Sequence, residues 1–278
     1  MASVVARCVL RAVLRPLRLV SMSLAPAGPR VAYATVGISG ELKGVEAVAP
    51  GADRTRVILY FHGGEHWLLS VDTYREFLGR LSARAKARVV AVAYRRPPQV
   101  RFLAGLQDAL AAWRWALEQF PASAVAVAGD ALGGNLAFAL MARIAQLEEP
   151  QPAACIGISP WLNLGFHWTD ACGQFCMEMH SGGGRRAVNA DDPLACPARM
   201  GPELLRRCPP VLMHAGRGEP TSRDVRAMQA ALAREGVPVE ARLYTAPHAF
   251  RVGPGFWRSK ATQDSLARVG AFLERHWR

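Results

Sequence analysis

Residues 124–140 read AVAVAGDALGGNLAFAL, an apolar run that ends in Gly-Asp and continues into a helical pattern. The frame Gly129-Asp130-Ala131-Leu132-Gly133 has the glycine spacing of G-x-S-x-G, in which a sharp strand-to-helix turn carries a nucleophilic serine. Ala131 occupies the central position of this frame, and its methyl group has no oxygen that could attack a carbonyl carbon. The frame therefore predicts the site of a nucleophile that this chain lacks.

Acyl transfer also requires backbone donors for an oxyanion, a base, and an acid that orients the base. The letters HGG at 62–64 follow an apolar strand pattern, so this loop can direct N–H groups toward an oxyanion. Glu219 follows the apolar run at 211–215 and is predicted as the acid, with Asp224 as the second choice. His248 follows the last strand pattern and is predicted as the base.

Strand-like and helix-like patterns alternate from residue 31 onward. Continuous apolar runs predict parallel strands that are covered on both faces, at 57–61, 88–94, 124–129, 153–159, 211–215 and 239–244. Helical patterns lie between them or after them, at 74–87, 103–119, 133–147, 223–235 and 256–277. This alternation predicts an α/β fold with a mostly parallel, doubly wound sheet.

One connection, residues 161–208, is far too long for a simple crossover and is rich in Gly, Pro, His and Cys. We interpret it as a helical cap inserted at the carboxyl edge of the sheet, where open α/β sheets bind ligands. The pocket beneath it is expected to be lined by His62, His66, Trp67, Leu132, His248 and cap residues 166–179. The aromatic and Met residues of the cap favour a small apolar ester or a related ligand.

From residue 57 to the C-terminus, the chain resembles the hormone-sensitive-lipase-like family of α/β-hydrolase esterases. The resemblance is carried by HGG at 62–64, GDALGG at 129–134, SPWLNL at 159–164 and PPVLMHAGRGE at 209–219. It implies an α/β-hydrolase fold, carboxylic ester hydrolysis, and Glu219 and His248 as acid and base. The oxyanion hole that it implies comes from the HGG loop and the elbow, and its members are Gly63, Gly64, Glu65 and Leu132.

The chain departs from the pattern of that family in three places. The nucleophile position is Ala131, the third glycine of the HGGG loop is Glu65, and the segment 94–100 reads YRRPPQV where the family has YRLAPEH. Removal of the serine of subtilisin lowers kcat about a million-fold, so we predict that hydrolysis is absent or very weak.

Three hypotheses account for Ala131. It is an introduced substitution in a working esterase, or the chain is a natural pseudoenzyme whose pocket binds a small ligand or whose surface binds a partner. In the third, the pocket performs non-covalent chemistry, with Glu65 or His248 activating water as a general base. The drift at Glu65 and in YRRPPQV favours a natural, diverged hydrolase.

The chain has 278 residues and a net charge of +12, which comes almost wholly from arginine. The length fits one large α/β domain, residues 31–278. No nucleic-acid-binding motif is present, so we predict no nucleic-acid partner. The 6 cysteines are scattered, which favours a reducing compartment, and a cytoplasmic location is the default expectation.

The segment 1–30 is basic, and Arg7, Arg11, Arg15 and Arg18 share one helical face. We interpret it as a short helix that packs against the domain as a cap element. A transit peptide or a membrane-surface helix is the alternative, which would imply a mitochondrial location or peripheral membrane contact.

One cluster in the cap has the residue types of a metal site. Cys172, Cys176 and His180 would line one helical face, with His167 nearby. Structural zinc sites more often use closer cysteine pairs, so we interpret these residues as two buried cysteines and a surface histidine. No metal and no cofactor are predicted.

Overall fold

A computed structural model describes residues 30–64, 71–96, 102–163, 189, 191–245 and 259–277. In this part of the chain the strands are β1 (Ala32–Ser39), β2 (Leu42–Val48), β3 (Asp53–Phe61), β4 (Ala87–Val92), β5 (Val125–Asp130), β6 (Ala154–Ile158), β7 (Val211–Gly216) and β8 (Val239–Tyr244). They form one 8-stranded sheet in the order β1-β2-β4-β3-β5-β6-β7-β8. β2 pairs antiparallel with β1 and with β4, and every other pair is parallel.

Helices cover both faces of this sheet. The described α-helices are α1 (Arg75–Ala85), α2 (Phe102–Leu117), α3 (Ala131–Gln146), α4 (Pro202–Arg206), α5 (Thr221–Arg234) and α6 (Lys260–His276). Alternate side chains of the strands pack into two hydrophobic clusters, one with α2, α3 and α5, the other with α1 and α6. The sheet is therefore the middle layer of three, as the doubly wound prediction requires.

The 6 predicted strands and the 5 predicted helices all overlap elements of the structure. The expectation of simple alternation from residue 31 is wrong, because β1 and β2 form an antiparallel hairpin that turns at Gly40, whose φ is +54°. The expectation of a continuous apolar run is wrong for β8. It is an edge strand, and its residues alternate between partly buried and exposed up to the buried Tyr244.

Only the two ends of the predicted cap, residues 161–208, are described. After residue 163 the structure describes Asn189 and then residues 191–208, which contain the short 3-10 helix Pro197–Arg199 and α4. Residues 164–188 and residue 190 lie outside the described part, and so do residues 1–29 of the predicted basic segment. None of the described helices is long and apolar enough to cross a membrane.

Candidate active site

The turn between β5 and α3, residues 129–133, is here called the elbow. Ala131 begins α3 with a φ of 49°, a left-handed conformation that costs a non-glycine residue free energy. A Cβ atom on Gly133 would lie 2.0 Å from Phe61 O, and one on Gly129 would lie 2.3 Å from Gly133 O. Strand and helix backbones are therefore in contact at the elbow, which explains the two glycines that frame Ala131.

A buried carboxylate joins the elbow to the oxyanion loop, residues 62–64. Asp130 is 1% exposed. Its Oδ1 accepts hydrogen bonds from the hydroxyl of Tyr60 at 2.7 Å and from the N–H of Gly63 at 2.9 Å. Its Oδ2 accepts one from the hydroxyl of Tyr74 at 2.9 Å. Burial, and then the neighbouring carboxylate of Asp130, raise the pKa of Tyr74, which keeps this hydroxyl a proton donor.

This contact changes the predicted set of oxyanion donors. Because the N–H of Gly63 donates to Asp130, it is not available to an oxyanion, and we remove Gly63 from the set. The next residue, Gly64, has a φ of +103°, so the chain turns sharply just after the anchored amide. Leu132 lies in the first turn of α3 and is 4% exposed. The residue is therefore at the elbow, where the sequence predicts its N–H as an oxyanion donor.

His62 was predicted to line the pocket, but the structure buries it. The side chain is 1% exposed and its Nδ1 lies 2.8 Å from Gly63 O, which accepts the proton of the Nδ1–H tautomer. The hydroxyl of Tyr94 donates to His62 O at 2.6 Å. Burial, and then the positive charge of Arg96, lower the pKa of His62 to about 4, so the ring is neutral at pH 7. His62 therefore stabilises the oxyanion loop through its hydrogen bond to Gly63 O, and its buried ring is not accessible to a ligand.

The predicted acid lies after β7, in contact with the neighbouring strand. Glu219 is 7% exposed, and its Oε1 accepts a hydrogen bond from Ser159 Oγ at 2.6 Å and another from the N–H of Gly216. Asp224, the second choice, is 7% exposed in the first turn of α5. The contact with Ser159 favours Glu219, because it fixes that carboxylate at the carboxyl edge of the sheet.

Both described ends of the cap attach to the elbow. The N–H of Trp161 donates to Ala131 O at 3.0 Å. Asn135, on α3, donates from Nδ2 to Trp161 O at 2.7 Å and to Ala195 O at 3.0 Å. The side chains of Ala131, Leu132, Trp161 and Cys196 form a separate apolar cluster. The cap thus begins and ends against the first turns of α3.

Several predicted residues lie outside the described part of the chain. They are Glu65, His66, Trp67, His248, cap residues 166–179, and the cluster of His167, Cys172, Cys176 and His180. Among the described residues, no group of three or more His, Cys, Asp or Glu side chains is arranged to hold a metal ion.

Sequence reasoning missed the buried residues that support the site. Asp130, Ser159 and Asn135 carry polar side chains that are at most 1% exposed, and each contacts a segment distant in the sequence. The only local signal was a polar residue at the end of an apolar run, or one on an apolar helix. Such a residue needs a partner when it is buried, but the sequence does not say which.

Known proteins resemble this chain in sequence. A family model described as "alpha/beta hydrolase fold" matches residues 58–252. An acetyl-hydrolase of Streptomyces hygroscopicus is 35% identical over 204 residues, which cover 70% of this chain and 67% of that protein. Esterase LipU of Mycobacterium tuberculosis (strain ATCC 25618 / H37Rv) is 29% identical over 260 residues, 88% of this chain and 86% of that protein.

Solved structures resemble it as well. An esterase/lipase from an uncultured bacterium has a TM-score of 0.82 and 26% identity, covering 91% of this chain and 87% of that one. An esterase from the bacterial hormone-sensitive lipase family has a TM-score of 0.81 and 27% identity, covering 92% of this chain and 88% of that one.

Proposed function

Because this chain belongs to the α/β-hydrolase-fold family, we propose that it is a diverged carboxylic ester hydrolase that binds a small apolar ester or its product without turning it over. The names of its relatives support an assignment of this chain to the esterase- and lipase-like α/β hydrolases. The proposed inactivity of the site is inferred from the chain's own residues.

The observation that carries the proposal is Ala131 at the elbow. Its φ of 49° is typical of the strained turn that exposes a nucleophile in G-x-S-x-G enzymes. The side chain of Ala131, however, has no oxygen. The supporting parts are retained: the anchored loop at Gly63 and the buried acid Glu219. Loss of a nucleophile lowers kcat by roughly a million-fold in subtilisin, so this change alone would abolish measurable turnover.

Retained donors support ligand binding. N–H groups of Gly64, Glu65 and Leu132 are the proposed oxyanion hole, and donors that stabilise a tetrahedral oxyanion can also donate hydrogen bonds to a carbonyl or carboxylate oxygen. His248 is the proposed base, with His66 and Trp67 on the pocket wall. We also propose that residues 31–278 form a single domain and that residues 161–208 form a cap over its pocket.

The drift at other positions favours a natural binding protein over an introduced change. Glu65 introduces an acidic residue where the family has the third glycine of its HGGG loop, and YRRPPQV departs from the family pattern in a separate segment. A single introduced substitution at Ala131 would produce neither. A working esterase carrying a Ser-to-Ala change is the second candidate, favoured by the intact Glu219 and its contacts.

The test compares hydrolysis of p-nitrophenyl acetate by the parent chain and by Ala131→Ser. The control is Ala227→Ser, which puts a new hydroxyl on the exposed face of α5. We expect turnover only in Ala131→Ser. Turnover by the parent at a comparable rate would refute inactivity, and no turnover by any of the three would refute an esterase site that lacks only its nucleophile.

Binding by the parent is measured separately, as the shift in its melting temperature with p-nitrophenyl butyrate. A ligand that binds only the native state raises the melting temperature, by an amount that grows with its concentration. A shift without release of p-nitrophenol supports a binding protein. An unchanged melting temperature up to the solubility limit of the ester would contradict it.

A further inference from the structure

Ser159 is strained, buried and in contact with the proposed acid. Its φ is 47°, and it is 0% exposed. The other described non-glycine residues with positive φ are Lys86 and Glu148, which follow helices, and Ala131 at the elbow. Strained backbone away from helix ends is retained where the surrounding structure or the function requires it.

Two hydrogen bonds hold Ser159 against β7. Its N–H donates to His214 O at 2.6 Å, and its hydroxyl donates to Glu219 Oε1 at 2.6 Å. Because His214 lies within β7 and Glu219 follows that strand, Ser159 bonds both the strand and the loop after it that carries the acid. Ser265 in turn lies 2.9 Å from Nδ1 of His214, which anchors the same strand to α6.

Ser159 and Gly216 contact the same oxygen of the acid. Ser159 Oγ and the N–H of Gly216 donate to Oε1 of Glu219, so the plane and the rotation of the carboxylate are set by two donors. A carboxylate that orients a histidine must present one oxygen in a fixed direction, because the histidine ring is useful only in one tautomer and one orientation.

We propose that Ser159 is a positioning residue, which together with the N–H of Gly216 fixes the rotation of the Glu219 carboxylate through Oε1. The strain at φ 47° is the conformation that lets the hydroxyl reach the carboxylate from the end of β6 while the N–H stays on β7. This inference rests on the proposed function, because it concerns the geometry of the same acid.

The kinetic test uses the Ala131→Ser background. There we expect Ser159→Ala to lower kcat about 10- to 100-fold, the fold-change that corresponds to loss of a hydrogen bond to a charged group. KM should stay within about 2-fold, because the hydroxyl makes no contact with substrate. The acid limb of the kcat/KM profile should move to lower pH, since an imidazolium with a misdirected carboxylate is less stable.

Two further variants separate positioning from stability. Ser159→Gly removes the hydroxyl and also relieves the positive φ, so it should melt above Ser159→Ala while losing kcat equally. Ser82→Ala is the matched control: Ser82 is 0% exposed and bonds Ala87 O at 2.7 Å and the N–H of Ala49 at 2.9 Å, far from the site in the fold. It should lower the melting temperature and leave kcat and the pH profile in place.

The inference also has a test that needs no activity. If Ala131→Ser shows no turnover, the proposed function fails, and crystal structures of the parent and of Ser159→Ala decide the role of Ser159. We expect the carboxylate of Glu219 to rotate or to adopt two conformers in the variant. An unchanged carboxylate, or kcat of Ser159→Ala equal to that of Ser82→Ala where turnover exists, would overturn the inference.

Discussion

Asp130 offers the sharpest test of how the site is held together. Its carboxylate is 1% exposed and accepts hydrogen bonds from Tyr60, Tyr74 and the N–H of Gly63. Asp130→Ala leaves these three donors without their acceptor in a buried space. Each stranded buried donor costs about 1 to 3 kcal/mol. The tyrosine hydroxyls can rotate toward another acceptor, whereas the amide of Gly63 is fixed in the backbone.

The expected loss in free energy of unfolding for Asp130→Ala is therefore about 1 to 6 kcal/mol, for one or two donors that find no partner. Asp130→Asn keeps an oxygen where Oδ1 accepts from Tyr60 and Gly63, and its NH2 group can donate to the hydroxyl of Tyr74. It loses only the charge assistance of these bonds, so we expect about 1 to 2 kcal/mol.

Urea unfolding followed by far-UV circular dichroism measures both variants. The matched control is Asp72→Ala, which removes an exposed carboxylate that pairs with Arg75 at 2.9 Å and should cost at most about 1 kcal/mol. The m-value should not change in any variant. A loss for Asp130→Ala no larger than that for Asp130→Asn would refute the idea that this carboxylate satisfies the loop and both tyrosines.

Two more predictions concern the elbow and the loop. Gly133→Ala would place a Cβ 2.0 Å from Phe61 O and should cost about 3 kcal/mol or more in urea unfolding, whereas Gly37→Ala, with no atom within 4 Å of the added Cβ, should cost far less. His62 has a pKa of about 4 in the fold against 6.5 unfolded, so the unfolded chain binds its proton first and stability falls as pH drops from 6.5 to 4. Between pH 7 and 5 this amounts to about 2 kcal/mol, and His62→Gln, measured by urea unfolding at both pH values, should lose that much less than the parent.

The predictable parts of the fold are the strands whose burial is evident from the composition of a short stretch of sequence. Residues 57–61 of β3, and β5 and β7, are largely continuous apolar runs because neighbouring strands and helices cover both faces, and these runs located the strands. β1 was not predicted because most of its residues are exposed and it has no continuous apolar run. Its identity as a strand depends on pairing with β2 across the turn at Gly40, which is a property of two segments together.

The site divides in the same way. The elbow was predictable because its two glycines have the G-x-S-x-G spacing at the end of an apolar run, and Glu219 because it follows a buried strand. Asp130 bonds Gly63 across 67 residues and Ser159 bonds Glu219 across 60, so neither contact has a local signature. Gly63 shows the consequence: its amide was expected to serve an oxyanion, and only the fold reveals that Asp130 already accepts it.

These contacts also explain why the geometry of the elbow does not depend on a serine. The backbone at Ala131 is fixed by the close approach of Gly133 to Phe61 and by the hydrogen bond from the N–H of Trp161 to Ala131 O at 3.0 Å. Neither contact involves the side chain at 131, so the strained φ of 49° persists with a methyl group there. A hydroxyl introduced by Ala131→Ser would then occupy a position that the backbone already dictates. On the proposed function, binding and turnover in this fold are separable by a single oxygen atom.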